Sequence, residues 1–282
     1  MRFPITKRIY LWVAMLSAGA GLPCNAAPWV EQSDQWQQSF PVNTQTPRLK
    51  IENIWGDVRV RAGEVDEIKV SVSEHRRAPT QALFDRSLEI LPLSLVADPQ
   101  GVSVVVGQAN NFRRKNPCRG CQLTVQFDVT IPSGSQIEVS TVNDGKVTVD
   151  GVTGVVSARN VNGPVEVAGA QRCGRLKSIN GPVRVTLTQP PNRDCELETI
   201  NGDITVEMPA DSSVDLALEL FNGNLHSEFE VEPLATTPRV KKSRKGTTLR
   251  YQVSQAGGLR IGNGGPSFSV KSLNGDIKIN KN

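Results

Sequence analysis

Residues Glu198–Met208 read ETINGDITVEM. Ile200 is apolar, Asn201-Gly202 is a turn pair, and Ile204, Val206 and Met208 then alternate with polar residues. The phrase returns as RNVNGPVEVAG at 159–169, KSINGPVRVTL at 177–187 and KSLNGDIKINK at 271–281. With the Asn as centre, the pairs are Asn162-Gly163, Asn180-Gly181, Asn201-Gly202, Asn222-Gly223 and Asn274-Gly275. Asn143 joins them if Asp144 is an insertion, and KIENIWGDVRV at 50–60 joins them if Trp55 replaces the Asn. From Asn143 the spacings are 19, 18, 21 and 21 residues, followed by a jump of 52. A fixed phrase at a period of about 18–21 residues marks a repeat architecture.

Around each centre the positions agree. Three and five residues after it stand apolar pairs such as Val165/Val167, Val183/Val185 and Ile277/Ile279, which is strand alternation. Four before it stand Ile51, Val139, Leu176, Leu197, Leu218 and Val270, so a second strand precedes the turn. Two before it stand Asn53, Thr141, Asn160, Ser178, Thr199 and Ser272, all polar, with Leu220 the exception. Glycine takes positive φ without a Cβ clash and Asn tolerates the left-handed region, which suits a turn.

Two architectures fit: antiparallel hairpins, or parallel coils stacked on one another. Three observations favour the coils. Pro164 and Pro182 follow Gly directly, and proline has no N–H for a hairpin ladder. Like residues recur at like positions, as stacking in register encourages. Cys173 lies seven residues before its centre and Cys195 six before its own. Stacked coils lie about 4.8 Å apart, within disulfide reach, whereas a meander would put these positions roughly 10 Å apart. The expected fold is all-β, a β-solenoid or β-helix-like stack of short strands with Asn-Gly corners.

The chain has 282 residues. Arg2, Lys7 and Arg8, an apolar run from Ile9 to Leu22, and Cys24-Asn25-Ala26 make residues 1–26 a signal peptide. The run is short for a membrane span, and Pro23 before Cys24 argues against lipidation. Without the leader the charge is 32 − 3 = 29 Lys and Arg against 28 Asp and Glu, which removes the basis for general nucleic-acid binding. No transmembrane segment remains in the mature chain. Residues 27–47 read as an N-terminal cap or extension and 48–282 as one domain. Its regular repeats span about 137–227, a basic loop excursion about 233–250, and a closing repeat 259–279. Between Leu49 and Val72 two strands are expected to flank Arg61-Ala62-Gly63. A short helix is expected at 82–87, with strands at 88–96, 102–106 and 123–131.

Four cysteines remain after export: Cys118, Cys121, Cys173 and Cys195. Their even number reads as two disulfides. Cys118-Arg-Gly-Cys121 has no βαβ setting for thioredoxin-like chemistry, and Cys173 and Cys195 lack the spacing of a second zinc knuckle. His75 and His226 have no metal-ligand spacing, so a His-dependent triad or metal site is not expected. Asp57, Asp203 and Asp276 read as turn residues, with Pro164, Pro182 and Asn224 breaking any acidic ladder. Arg113, Arg114 and Lys115, and Lys241, Lys242, Arg244 and Lys245, form basic runs: solvated loops, or contacts to an anionic envelope polymer.

The recurring apolar-Asn-Gly phrase, LKIENIWGDVRV, LTVQFDVTIPSGSQIEVSTVNDGKVTV and the closing GNGGPSFSVKSLNGDIKI resemble the bacterial "putative-adhesin" family over Leu49–Ile279. The resemblance implies an exported or surface-associated β-solenoid-like protein with no catalytic residues and no cofactor. The expected function is an adhesin-like binding or scaffolding module, periplasmic or on the cell surface, for an envelope polymer or another envelope protein. Two other readings stay open: a carbohydrate-active β-helix enzyme with converging carboxylates, and a periplasmic protein-binding module for sensing or assembly.

Overall fold

The structure, a computed structural model, describes residues 9–10, 29–107, 118, 120–234, 239–245, 248–254 and 257–282. The side chains of 9–10, 239–245, 248–254 and 257 lie outside this description. The segment expected to be a leader (1–26), with Cys24, therefore falls outside it apart from the backbone of Ile9–Tyr10.

The chain is all-β apart from one short helix, and its strands form two large, mostly parallel sheets. Each repeated phrase gives one strand to each sheet. The strand before the centre joins the second sheet and the strand after it joins the first. We call such a pair of strands a rung. The Trp55 rung is Arg48–Glu52 with Val58–Gly63, and the Asn143 rung is Gln136–Thr141 with Val147–Asp150. The Asn162 rung is Val155–Asn160 with Val165–Ala170, and the Asn180 rung is Arg172–Lys177 with Val183–Leu187. The Asn201 rung is Cys195–Asn201 with Ile204–Met208. The Asn222 rung is Val214–Asn222 with Leu225–Ser227, and the Asn274 rung is Ser267–Asn274 with Ile277–Lys281.

The registers put like residues beside like. In the first sheet Val58, Val147, Val165, Val183, Ile204, Ile277 and Leu225 form one column across the parallel strands. All seven are fully buried. Ile51, Val139, Ala158, Leu176, Leu197, Val270 and Leu218 form the facing column in the second sheet. One continuous core lies between the sheets. A buried Val, Ile or Leu contributes about 1.5–3 kcal/mol, and each column repeats that gain at every rung.

The spatial order departs from the chain order at one place. The Asn274 rung lies between the Asn201 and Asn222 rungs and pairs in parallel with both. This accounts for the jump of 52 residues. After Ser227 the chain forms Val231–Pro233, a hairpin of Arg239–Lys245 with Thr248–Ser254, and the antiparallel strand Gly257–Ile261, then returns into the slot.

At the other end the chain is less regular. Val30–Pro41 pairs antiparallel with Glu67–Ala78, which pairs antiparallel with Gln122–Pro132. Gln122–Pro132 runs parallel to Val58–Gly63, so the strand of the 27–47 segment reaches the Trp55 rung through two others. The helix runs Gln81–Ile90, longer than 82–87, and so takes the first residues expected in a strand, which begins at Leu93. Thr80 caps it by accepting from the Leu83 N–H. The buried Arg76 guanidinium donates to the carbonyls of Ser87 and Leu91 and to Glu74, filling acceptors that the helix end leaves open.

Candidate functional site

The turn edge is built from three ladders. In the outermost, the Asn162 Nδ2 donates to Asn143 Oδ1, Asn180 to Asn162, Asn201 to Asn180, Asn274 to Asn201 and Asn222 to Asn274, each at 2.8 Å. The buried polar residues two before the centre form the inner ladder. Thr141, Asn160, Ser178, Thr199 and Ser272 donate to the carbonyls of Gly56, Gly145, Gly163, Gly181 and Gly202, one rung below. These bonds satisfy glycine carbonyls that the core would otherwise leave dry.

The glycines sit between these ladders, where positive φ at Gly163, Gly202 and Gly275 (155°, 157° and 151°) and the close approach of the next rung both call for glycine. A Cβ on Gly181 would come within 3.0 Å of the Gly163 carbonyl, although Gly181 is not in the left-handed region. Among the described residues Asp144, at φ 50°, is the one non-glycine with positive φ, so the Asn residues do not adopt the left-handed conformation. Asp144 takes up the extra residue of its phrase there.

The aspartates two after the centre form the third ladder. Asp57, Asp203 and Asp276 accept the backbone N–H of Lys146, Asp276 and Asn224 respectively, the residue at the same place in the next rung. Where the next rung carries Pro164 or Pro182 there is no N–H to receive, and the residue beneath is Lys146 or Pro164. The inserted rung corrects one expectation. Asp203 and Asp276 are direct neighbours, and Asn224, expected between them, lies beyond Asp276. Burial pushes the Asp203 carboxyl up, but bonds from Lys278 Nζ (2.7 Å) and the Asp276 amide, with the Lys278 and His226 charges, hold it below the usual range. His226 Nε2 lies 3.4 Å from Asp276 Oδ2. Among the described residues no group of His, Cys, Asp and Glu is placed to hold a metal.

Cys173 and Cys195 are joined across adjacent rungs with Cα atoms 5.2 Å apart, and Cys118 is joined to Cys121 beside the helix. Arg113, Arg114 and Lys115 lie outside the described residues. Lys241, Lys242, Arg244 and Lys245 fall on Arg239–Lys245, the outermost strand of the first sheet, and their side chains are not described.

The feature that sequence reading passed over is the outer face of the second sheet. It forms an open trough of about 1320 Å³ that crosses six rungs, from Arg48–Glu52 to Ser267–Asn274. Ser157, Gly174 and Ser269 are among its small lining residues. Charges flank them in pairs. Lys50 meets Glu52 at 2.8 Å, Arg175 meets Glu196 at 2.7 Å and Lys177 meets Glu198 at 2.6 Å. The bond to Glu52 and its charge raise the Lys50 ammonium above its ordinary range. Beyond the trough, the Glu219 bond does the same for Lys271. Arg48 and Arg159 line the trough but stand in no ion pair among the described residues. Arg159 lies between Ser140 and Lys177 in register. The signal was present in the sequence: the positions three and five before each centre are predominantly charged, and they point away from the core.

No helix among the described residues is long and apolar enough to cross a membrane. No family model matches the sequence, and no curated protein matches it. Solved structures similar to the chain include a "putative cell adhesion protein" from Clostridium sporogenes, 11% identical, covering 88% of this chain and 100% of that one, with TM-score 0.45. Another is a "putative adhesin" from Bacteroides fragilis, 10% identical, covering 88% of this chain and 97% of that one, with TM-score 0.37.

Proposed function

We propose that the chain is an exported, non-enzymatic β-solenoid that acts as an adhesin-like binding module of the cell envelope. Its binding surface is the trough, and its ligand is an extended, polar polymer. The trough carries this reading. Six adjacent strands at about 4.8 Å span roughly 24 Å, the length of an extended chain rather than a compact small molecule. Most of its charges already have partners, so a ligand meets an even, polar surface with Arg48, Arg159 and Glu138 outside any ion pair among the described residues and the two arginines free to engage anionic or hydroxyl groups. The N-terminal basic-apolar-small pattern and the two disulfides support export. Glu196 and Glu198 are each bound to a neighbouring cation, which supports a structural rather than an acid–base role. The Lys- and Arg-rich outer strand reads as edge protection for the first sheet.

The test is retention of the purified protein on immobilised envelope polysaccharides at rising salt. Arg159→Glu combined with Arg48→Glu should weaken retention about tenfold or more, since two charge-assisted contacts of about 1.5–3 kcal/mol are lost. Unchanged retention, or a loss that follows substitutions in Arg239–Lys245 instead, overturns the trough as the site. Release of shortened sugar products would favour the enzyme reading. Capture of an envelope protein without polysaccharide would favour the protein-binding one.

A further inference from the structure

We propose that Asn222-Gly223 is a site of spontaneous covalent modification, where the folded chain converts an asparagine amide to a carboxylate faster than at its other Asn-Gly pairs. The chemistry needs no enzyme. The Gly nitrogen gives its proton to solvent base and attacks the Asn Cγ. A C–N bond forms, and the side-chain nitrogen takes up a proton and leaves as ammonia. The resulting five-membered imide then adds water at either carbonyl and opens to aspartate or isoaspartate. No electrons are gained or lost, and the co-reactant is water. Three conditions set the rate: a glycine N–H free to lose its proton, an amide free to turn, and access of water.

The chain presents this chemistry with five nearly identical substrates, and the rungs protect them unequally. At Asn180, Asn201 and Asn274 the following glycine N–H is bonded to the Asn carbonyl of the next rung. Gly181 donates to Asn201 at 2.9 Å, Gly202 to Asn274 at 2.9 Å and Gly275 to Asn222 at 3.0 Å. Their side-chain amides are also fixed at both ends, donating to one neighbour and accepting from the other. Asn162 has both amide bonds and is bridged in parallel to Asn180, but Gly163 N–H makes no bond as well formed as those of Gly181, Gly202 and Gly275 among the described residues. Asn222 stands at the end of the ladder. Its Nδ2 donates to Asn274, and among the described residues its Oδ1 accepts from nothing and Gly223 N–H has no hydrogen-bond partner. Asn222 itself is exposed, and Phe221 beside it is 80% exposed, so water reaches the pair. Asn143 is followed by Asp144 and lacks the glycine.

The product would alter the ladder where it ends. A carboxylate at 222 has no N–H for Asn274 Oδ1 and sets acceptor against acceptor. Isoaspartate would also lengthen the backbone between Val214–Asn222 and Leu225–Ser227. The Asn222 rung would loosen while the rungs beneath keep their bonds.

The test is to hold the folded protein at mildly alkaline pH and follow all five sites by peptide mass spectrometry, separating aspartate from isoaspartate. The reduced, denatured chain serves as the control. In the folded protein Asn222 should convert about tenfold or more faster than Asn180, Asn201 and Asn274, with Asn162 between, because the protected sites must first open locally. In the denatured chain the five rates should draw together. Equal rates in the folded protein, or the same preference for Asn222 after denaturation, would overturn the proposal.

Discussion

The Asn162, Asn180 and Asn201 rungs stack in the order in which they are synthesised. The Asn274 rung does not: it enters between two rungs that precede it in the chain. Both kinds of rung nevertheless share three kinds of contact. Each places an aliphatic residue in the same buried columns, an amide in the outer ladder and a hydroxyl or amide on the glycine carbonyl below. Position in the stack is thus set by the chemistry of the rung and not by its place along the chain. The +2 aspartate fits this view. Asp203 needs an N–H above it, and Asp276 supplies one.

Removing the inserted rung has the largest expected effect. Deleting 267–282 takes Phe268, Val270, Ile277 and Ile279 from the core and strips the partner from two strands in each sheet. At about 1.5–3 kcal/mol per side chain the loss is roughly 6–12 kcal/mol, comparable to the whole stability of a domain, so the protein should not fold. Circular dichroism of the truncated chain checks this. A cooperative melt close to that of the full chain would mean that the Asn201 and Asn222 rungs can close on each other.

The Asn180 and Asn201 rungs have a covalent tie that the inserted rung lacks. Replacing Cys173 and Cys195 with Ala should lower stability by about 2–4 kcal/mol in a urea titration. Next come the glycines. Gly202→Ala in a sequential rung and Gly275→Ala in the inserted one each drive a Cβ into the carbonyl below, from similar positive φ (157° and 151°). Each should lower stability by about 1–3 kcal/mol. Unequal losses would show that the two kinds of rung are not held alike.

The smallest expected effect is one of pH. The Asp203 carboxyl is held below its ordinary value, so it stabilises the fold above about pH 4, and this is lost as pH falls through the folded value. Lys278 and Asp203 are both more than a third exposed, which keeps the contribution under about 1 kcal/mol. Asp203→Asn should flatten the acid limb of a stability-against-pH curve without moving its neutral plateau by more than that. A variant with the parent's acid slope would show that the Lys278 contact carries no net stability.

Much of this stack can be read from residue types alone. The aliphatic alternation after each centre and the offset of the cysteines pointed to parallel rungs, and the registers at Val183 and Ile204 have that form. The purpose of the small polar residue two before the centre was not legible. Its acceptor is the glycine carbonyl of another rung, and sequence shows a hydroxyl but not what lies one rung below. Nor did the chain order disclose the insertion, although Asp203 and Asp276 already shared the NGD spelling that suits adjacent rungs. The trough escaped notice for a different reason. Outward charges on one strand look like ordinary solvated positions, and only six strands side by side make them the lining of a concavity. The helix runs past the 82–87 that its sequence predicts because its far end is held by Arg76, a residue of the strand Glu67–Ala78.

The placement of Ser267–Lys281 also fixes a schedule. The gap it fills is bounded by segments that leave the ribosome earlier, and both boundaries wait for Ser267–Lys281 to supply their partner strands. A chain still short of these residues carries an unfilled seam through both sheets, with a strand edge bare on each side.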